Sequence, residues 1–443
     1  MMPLLVRGGR VVDPSQDMDS VGDLLIIDGR IARVGRGTTA DQPCTVLHAE
    51  GLVVSPGFVD LHCHLREPGF EDKETIASGT RAAARGGFTT VCCMPNTEPP
   101  IDTRGVVEFV DKQAAAEGVV RVLPIGCITR GRRGKELVDI ADLADAGVVA
   151  LSDDGDWVAD PHLMRQALQQ SRRFGLFLTD HCQDVSLSAG GVMNEGEVSA
   201  RLGLKGIPAA AEEVAVARDI ELAQETGGRL HIAHVSVAGS VDLVRRAKEK
   251  GVEVTAEVTP HHLTMTDDMV TACDTNAKMY PPLRTSADVE ALSKALDEGV
   301  IDAIATDHAP HTAADKLCDF EAAAFGISVF ETALGSLLML VHAGSLRLVT
   351  LVSKLTREPA AILRRSDIGT LKPGACADVT IFDPEAEWTV DPTLFASKGR
   401  NTPLAGQRLK GKVMATLCGG QVVHRDEVVR LEKIHHQAGA RID

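Results

Sequence analysis

Between about residues 55 and 360 the chain repeats one pattern: a short apolar run, a polar residue that ends it, then an Ala-rich stretch of helical period. "FTTVCCMPN" leads to "TRGVVEFVDKQAAAEG", and "VVRVLPIGCI" leads to "GKELVDIADLADAG". "GLFLTDHC", "RLHIAHVS", "VEVTAEVTPHH" and "DAIATDHAPH" are further runs of the same kind. Apolar runs alternating with amphipathic helices predict parallel strands in βα units. Roughly eight units fit the interval, which favours a closed (β/α)8 barrel over an open sheet. In nearly every unit His, Asp or Asn stands at the carboxyl end of the run, the rim where such barrels keep their reacting groups.

The two ends have another texture. "LLVRGGRVVDPSQDMDSVGDLLIIDGRIARVGRG" and "IGTLKPGACADVTIFDPEAEWTV" alternate β-rich runs with Gly and Asp turns. They predict a small antiparallel β-sandwich domain made from both termini, residues 1–55 and 362–443, around a barrel at 56–361. Aromatic residues are only 3% of the chain, so Ala, Val, Leu and Ile must fill the core. A formal charge of −16 argues against nucleic-acid or anionic-membrane partners. The N-terminal apolar stretch is too short for a signal-peptide core, and no run is long enough to span a bilayer. Ten scattered cysteines without a C-x-x-C pair fit free thiols in the cytoplasm.

The chemistry begins at "GFVDLHCHLREPGF", residues 57 to 70. On a strand, residues i and i+2 share a face, so His62 and His64 point together and Cys63 points away. Two imidazoles at a barrel mouth make half a metal site suited to zinc. Other strand ends supply Asp153 and Asp154, His181, His234, and then Asp307, His308 and His311. Each alone is well read as a cap, a turn residue or a core histidine. Together, in that order, they point to a metal-dependent hydrolase. One or two divalent ions would acidify a water and polarise a carbonyl. Asp307 is the best-placed carboxylate to take and return a proton. Arg66 offers a planar fork for a substrate carboxylate.

"GFVDLHCHLREPG", "TTVCCMPNTEPP", "LSDDG", "DHC", "AHVS", "EVTPHHL", "PPLR" and "ATDHAPH" together resemble the type I dihydroorotases of the amidohydrolase superfamily, over essentially the whole chain. The resemblance implies reversible cyclisation of N-carbamoyl-L-aspartate to L-dihydroorotate in pyrimidine synthesis, with one or two Zn2+ ions per subunit. It implies His62, His64 and Asp307 on one ion, His181 and His234 on a second, and an aspartate of "SDDG" bridging; the intervals favour Asp154 over Asp153. Related hydrolases carry a carboxylated lysine where Val149 stands, which leaves the bridge to an aspartate. The same resemblance makes Asp307 the general acid/base. It puts Arg66, Asn96 and His311 on the substrate carboxylate, with His64 also facing the substrate, and gives Phe325 and Gly326 backbone contacts to the ring. His261 and His262 are read as structural.

Two positions depart from the family pattern. Tyr280 stands where an Asn precedes Pro-Pro-Leu-Arg; its hydroxyl can replace the amide, or its ring can narrow the pocket. "AAAFG" replaces Ala-Pro-Phe-Gly, which predicts a more mobile loop. A homo-oligomer is expected, and association with an aspartate transcarbamoylase is left open. The competing readings are a hydantoinase or allantoinase, disfavoured by Val149 and Arg66, and a non-catalytic subunit scaffolding aspartate transcarbamoylase, disfavoured by the complete set of candidate ligands.

Overall fold

The computed structural model describes residues 2–434. Eight parallel strands follow one another in chain order around a nearly closed barrel: Phe58–Cys63, Phe88–Cys93, Arg121–Gly126, Ala150–Leu151, Phe177–Asp180, Arg229–Ile232, Val254–Val258 and Ala303–Ile304. The seam between the first and eighth is stitched just past the end of the eighth strand. There the His64 amide donates to the His308 carbonyl at 2.9 Å, and the Asp307 amide to the His62 carbonyl at 2.9 Å. The (β/α)8 reading therefore holds, and its closure lies among the candidate ligands.

The helices between strands start where the sequence supplies caps. Thr75 and Ser78 form a reciprocal capping box at Ile76–Arg85. At Pro161–Arg172, Asp160 caps the first amides and Pro161 occupies the first turn. Their apolar faces join one large buried cluster with the strands. A smaller cluster takes Leu61, Cys92, Ile125, Ala150, Phe177 and Ala303 from six of the barrel strands.

The chain ends build a nine-stranded sheet in which Val379–Thr389 pairs antiparallel with Val53–Pro56, joining C-terminal to N-terminal sequence. It is mixed rather than wholly antiparallel: Leu4–Asp13 runs parallel to Cys44–His48 along its first half and to Val53–Pro56 beyond it. A shift in its register between Val6 and Gly9 accompanies this change of partner. Leu4 and Val6 pack into one apolar cluster and the intervening Leu5 into another, so both faces of this strand are buried. Residues 435–443, the expected end of this unit, lie outside the described residues.

This sheet sits at the amino ends of the first barrel strands. Phe58 meets Phe88 at 5.7 Å and Phe382 at 6.3 Å between ring centroids, and Arg121 pairs with the buried Asp378 at 2.7 Å. The opposite rim stays open for chemistry. Among the described residues no helix is long and apolar enough to cross a membrane.

Candidate active site

His62 and His64 project together from the first barrel strand and its exit, their ring centroids 5.4 Å apart. The Cys63 thiol turns away to the Cys92 carbonyl. Asp307 Oδ1 lies 3.0 Å from His64 Nε2 and 3.5 Å from His62 Nε2. Asp154 Oδ1 lies 3.4 Å from His62 Nε2, 3.6 Å from His181 Nδ1 and 3.8 Å from His234 Nε2, while its Oδ2 is 3.6 Å from His64 Nε2. His181 Nδ1 and His234 Nε2 are 2.9 Å apart. One carboxylate thus sits among four imidazoles. Asp153 is aimed elsewhere: it accepts the amides of Ile128 and Thr129 and the Thr129 hydroxyl.

Two overlapping groups have metal-ligand spacing, His62–His64–Asp307 and His62–Asp154–His234, with all ligand atoms in each within 4.8 Å of one another and every residue buried. His62 Nε2 and Asp154 Oδ1 are buried with no hydrogen-bond partner. Leaving such atoms unsatisfied is costly, and a cation between them removes the cost. Imidazole nitrogens with carboxylate oxygens are a donor set suited to zinc, so the residues fit one or two Zn2+ ions.

The surrounding charges fix how the ligands present themselves. The His62 Nδ1–H donates to Glu257 at 2.9 Å, and the other Glu257 oxygen meets His231 Nε2 at 3.0 Å. Burial alone would raise the Glu257 pKa, but His231 and His62 outweigh it and hold it at about 2. Burial likewise disfavours charge on His62, yet Asp154 and Asp307 keep its pKa well above the ordinary value. Against their burial, His62 with His181 and His234 keeps the Asp154 carboxyl below the usual range, and His62 with His64 and His234 does the same for Asp307. His181 shifts the other way, lowered by burial and by His234. Asp60, pushed up to about 7 by burial, accepts the amide and hydroxyl of Thr306, both at 2.7 Å, and so braces the seam. His234 and Asp307 both hold positive φ, 34° and 45°, conformations that side chains with a Cβ seldom adopt and that cluster at functional sites.

The histidines floor a cavity of about 280 Å³ whose wall includes Arg66, Asn96, Tyr280, His311, Phe325 and Gly326. Every sequence-predicted substrate contact therefore lines one space. Arg66 is half-buried at the cavity wall, desolvation lowers its pKa to about 10, and its Nε donates to the Pro310 carbonyl at 3.3 Å. Asn96 gives its Oδ1 to His64 Nδ1 at 2.9 Å, which leaves its amide NH2 for a ligand. His311 Nε2 is 2.7 Å from the Phe325 carbonyl, while its Nδ1 has no hydrogen bond. Gly326 has φ 128°, and a Cβ there would lie 2.7 Å from that of Ala309, so only glycine fits. Its N–H donates to the Lys278 carbonyl and its carbonyl accepts from Asn401, which leaves the carbonyl one further lone pair for a ligand.

The expected mobility of the loop before Gly326 meets a specific restraint. Buried Lys316 donates to the carbonyls of Thr275, Lys278 and Ala324, and buried Lys278 to those of Phe320 and Glu321. His308 faces Glu74 and accepts the Val329 amide, outside the cavity. His262 lies between Thr259 and the Pro281 carbonyl, and His261 is buried without a hydrogen-bond partner. Sequence reasoning passed over Glu257, His231 and Asp60; the available signal was a charged or polar side chain inside an otherwise apolar strand run.

Comparison with known proteins agrees with this geometry. Residues 51–240 match the dihydro-orotase-like family and residues 195–424 an amidohydrolase family. The chain is 54% identical over 430 residues to a dihydroorotase of Pelotomaculum thermopropionicum, covering 97% of this chain and 100% of that protein. It is 50% identical over 424 residues to a dihydroorotase of Geobacter metallireducens, covering 96% and 100%. Among solved structures it resembles the L-hydantoinase (dihydropyrimidinase) of Arthrobacter aurescens, with TM-score 0.86, 26% identity and 98% of each chain covered. The dihydropyrimidinase of Brevibacillus agri shares the fold, with TM-score 0.84, 23% identity and coverage of 97% and 96%.

Proposed function

The chain belongs to the dihydroorotase family, and from that premise we propose how its residues divide the work. The protein is a zinc-dependent cyclic amidohydrolase acting as a dihydroorotase, interconverting N-carbamoyl-L-aspartate and L-dihydroorotate. The observation that carries the mechanism is the convergence of His62, His64, Asp154, His181, His234 and Asp307 on one buried point beside Arg66.

His62, His64 and Asp307 would hold one ion and His181 and His234 another, with Asp154 shared between them. Bound zinc supplies a Lewis acid and an acidified water. Arg66 holds the substrate's α-carboxylate in a charge-assisted pair, helped by the Asn96 amide and by His311. Asp307 faces the ligands from the cavity side, so its carboxylate takes the proton in ring opening and delivers it to the departing ring nitrogen; in cyclisation the order reverses. Phe325 and Gly326 bound the ring on the loop side, and Tyr280 closes the edge next to His181.

The barrel at 56–361 would form one unit and the two chain ends, 1–55 and 362–443, another. The ten cysteines are free, which supports a reducing cytoplasm. Self-association as a homo-oligomer is part of the same reading, and light scattering of the purified protein tests it. Partnership with an aspartate transcarbamoylase would add to catalysis rather than replace it, because all six ligand candidates are present. Rates on dihydroorotate, hydantoin and allantoin test the substrate: dihydroorotate should be turned over fastest, and finding it the poorest of the three would overturn the reading.

A further inference from the structure

A second, outer recess of about 430 Å³ adjoins the reaction cavity. It is bounded by Val185, Ser188, Gly191, Lys278 and Glu321, among others. Among the described residues, Tyr280 and Phe325 alone line both spaces. Their side chains continue outward from His181, stacked at Tyr280 and tilted by 48° between Tyr280 and Phe325. The Tyr280 ring lies nearly parallel to His181, at 4.7 Å and 19°, and 5.1 Å from the Phe325 ring. Its hydroxyl is 3.2 Å from the Ser188 hydroxyl. Lys278 Nζ sits 4.5 Å from the Phe325 centroid while it donates to two backbone carbonyls, which fixes the outer end of the ring pair.

We propose that the Tyr280–Phe325 ring pair is a partition that sets the largest ring substrate this protein accepts, making Tyr280 a specificity-determining residue. The inference rests on the dihydroorotase reading. Alone, the inner space falls just below the range of about 300–1,000 Å³ typical of drug-sized ligands, and it suits a bare six-membered ureide acid. Joined to the outer recess it would be more than twice as large. An aromatic plate excludes bulk without spending a hydrogen bond on the correct substrate. Its own polar tip is occupied by Ser188, so Tyr280 discriminates by shape. The ligands it turns away are cyclic ureides with an aryl or long alkyl substituent directed at the Tyr280–Phe325 wall.

The test uses zinc-loaded protein and calorimetric Kd values for orotate and its N1-benzyl and 5-benzyl derivatives, ring-conjugated analogues of the substrate. Wild type should prefer orotate to each derivative by at least tenfold. Tyr280→Gly should narrow at least one of those ratios tenfold or more, and Phe325→Ala, which opens the same wall from its other side, should act in the same direction. Tyr280→Phe, which keeps the plate and loses only the hydroxyl, should leave the ratios within about threefold of wild type. Unchanged ratios in both opened variants, or a wild type that binds the benzyl derivatives as well as orotate, would overturn the partition. Turnover of dihydroorotate in the same wild-type preparation judges the reaction separately: its absence would remove the dihydroorotase reading while the affinity ratios still judged the wall.

Discussion

The two histidine pairs of this centre are built differently. On the His62–His64 side each ring has its outer nitrogen held: His62 Nδ1 by Glu257 and His64 Nδ1 by Asn96. On the His181–His234 side the outer nitrogens, His181 Nε2 and His234 Nδ1, are buried with no hydrogen bond, and the inner nitrogens rest 2.9 Å from each other. A partner on the outer nitrogen fixes tautomer and ring orientation before any cation arrives, and raises the basicity of the ligand atom. The first pair is therefore preorganised by the barrel, whereas the second would take its final order from an ion bound there. Asp154, in contact with both, couples them.

The sharpest test of this asymmetry removes the proposed proton carrier, Asp307, from the preorganised side. Asp307→Asn should lower kcat by about 10²–10⁴, the usual worth of general acid–base catalysis, while zinc at His181 and His234 is retained. Steady-state rates and metal analysis of one preparation check both halves, and near-normal turnover would remove Asp307 from its role. Next in size is the carboxylate behind His62. Glu257→Gln keeps the shape and loses the charge, so zinc affinity on the first side should fall about 10–100-fold, measured by chelator competition. An equal loss on the His181 side would erase the distinction between the pairs.

The smallest expected effect is one of pH. Despite burial, Asp154 and Asp307 hold the His62 pKa above its ordinary value, so between those two values the free protein carries a proton that an entering ion must displace. Affinity on that side should rise about tenfold per pH unit through the interval and level off above it, as expected for one proton released per ion. His181, lowered by burial and by His234, is already neutral there, so its side should be flat over the same range. Parallel slopes at both sites would break the comparison.

Much of this was legible in the sequence because the barrel writes its period openly: apolar runs ending in His or Asp gave the strands, the rim and all six ligand candidates. Asp154 could be preferred to Asp153 by spacing, and the structure supplies the physical difference, since Asp153 is consumed by the Ile128 and Thr129 amides. Glu257 and His231 escaped because strand alternation says which side chains share a face, not which distant strands bring an acid to a histidine. The parallel pairings in the end sheet were hidden for the same reason, being contacts between segments far apart in the chain. In the loop before Gly326 the missing proline was visible in the sequence, whereas the ammonium groups of Lys316 and Lys278 that bond its carbonyls were not. Tyr280 stood out as the chain's single tyrosine, but its shared wall with Phe325 needed the fold.

The most direct measurement is anomalous scattering at the zinc edge from crystals of metal-free protein given one equivalent of Zn2+ per chain. The account predicts a dominant peak bounded by His62, His64 and Asp307, with the His181–His234 position filling only as more zinc is added. A first peak between His181 and His234, with the His62–His64 side empty, would contradict it.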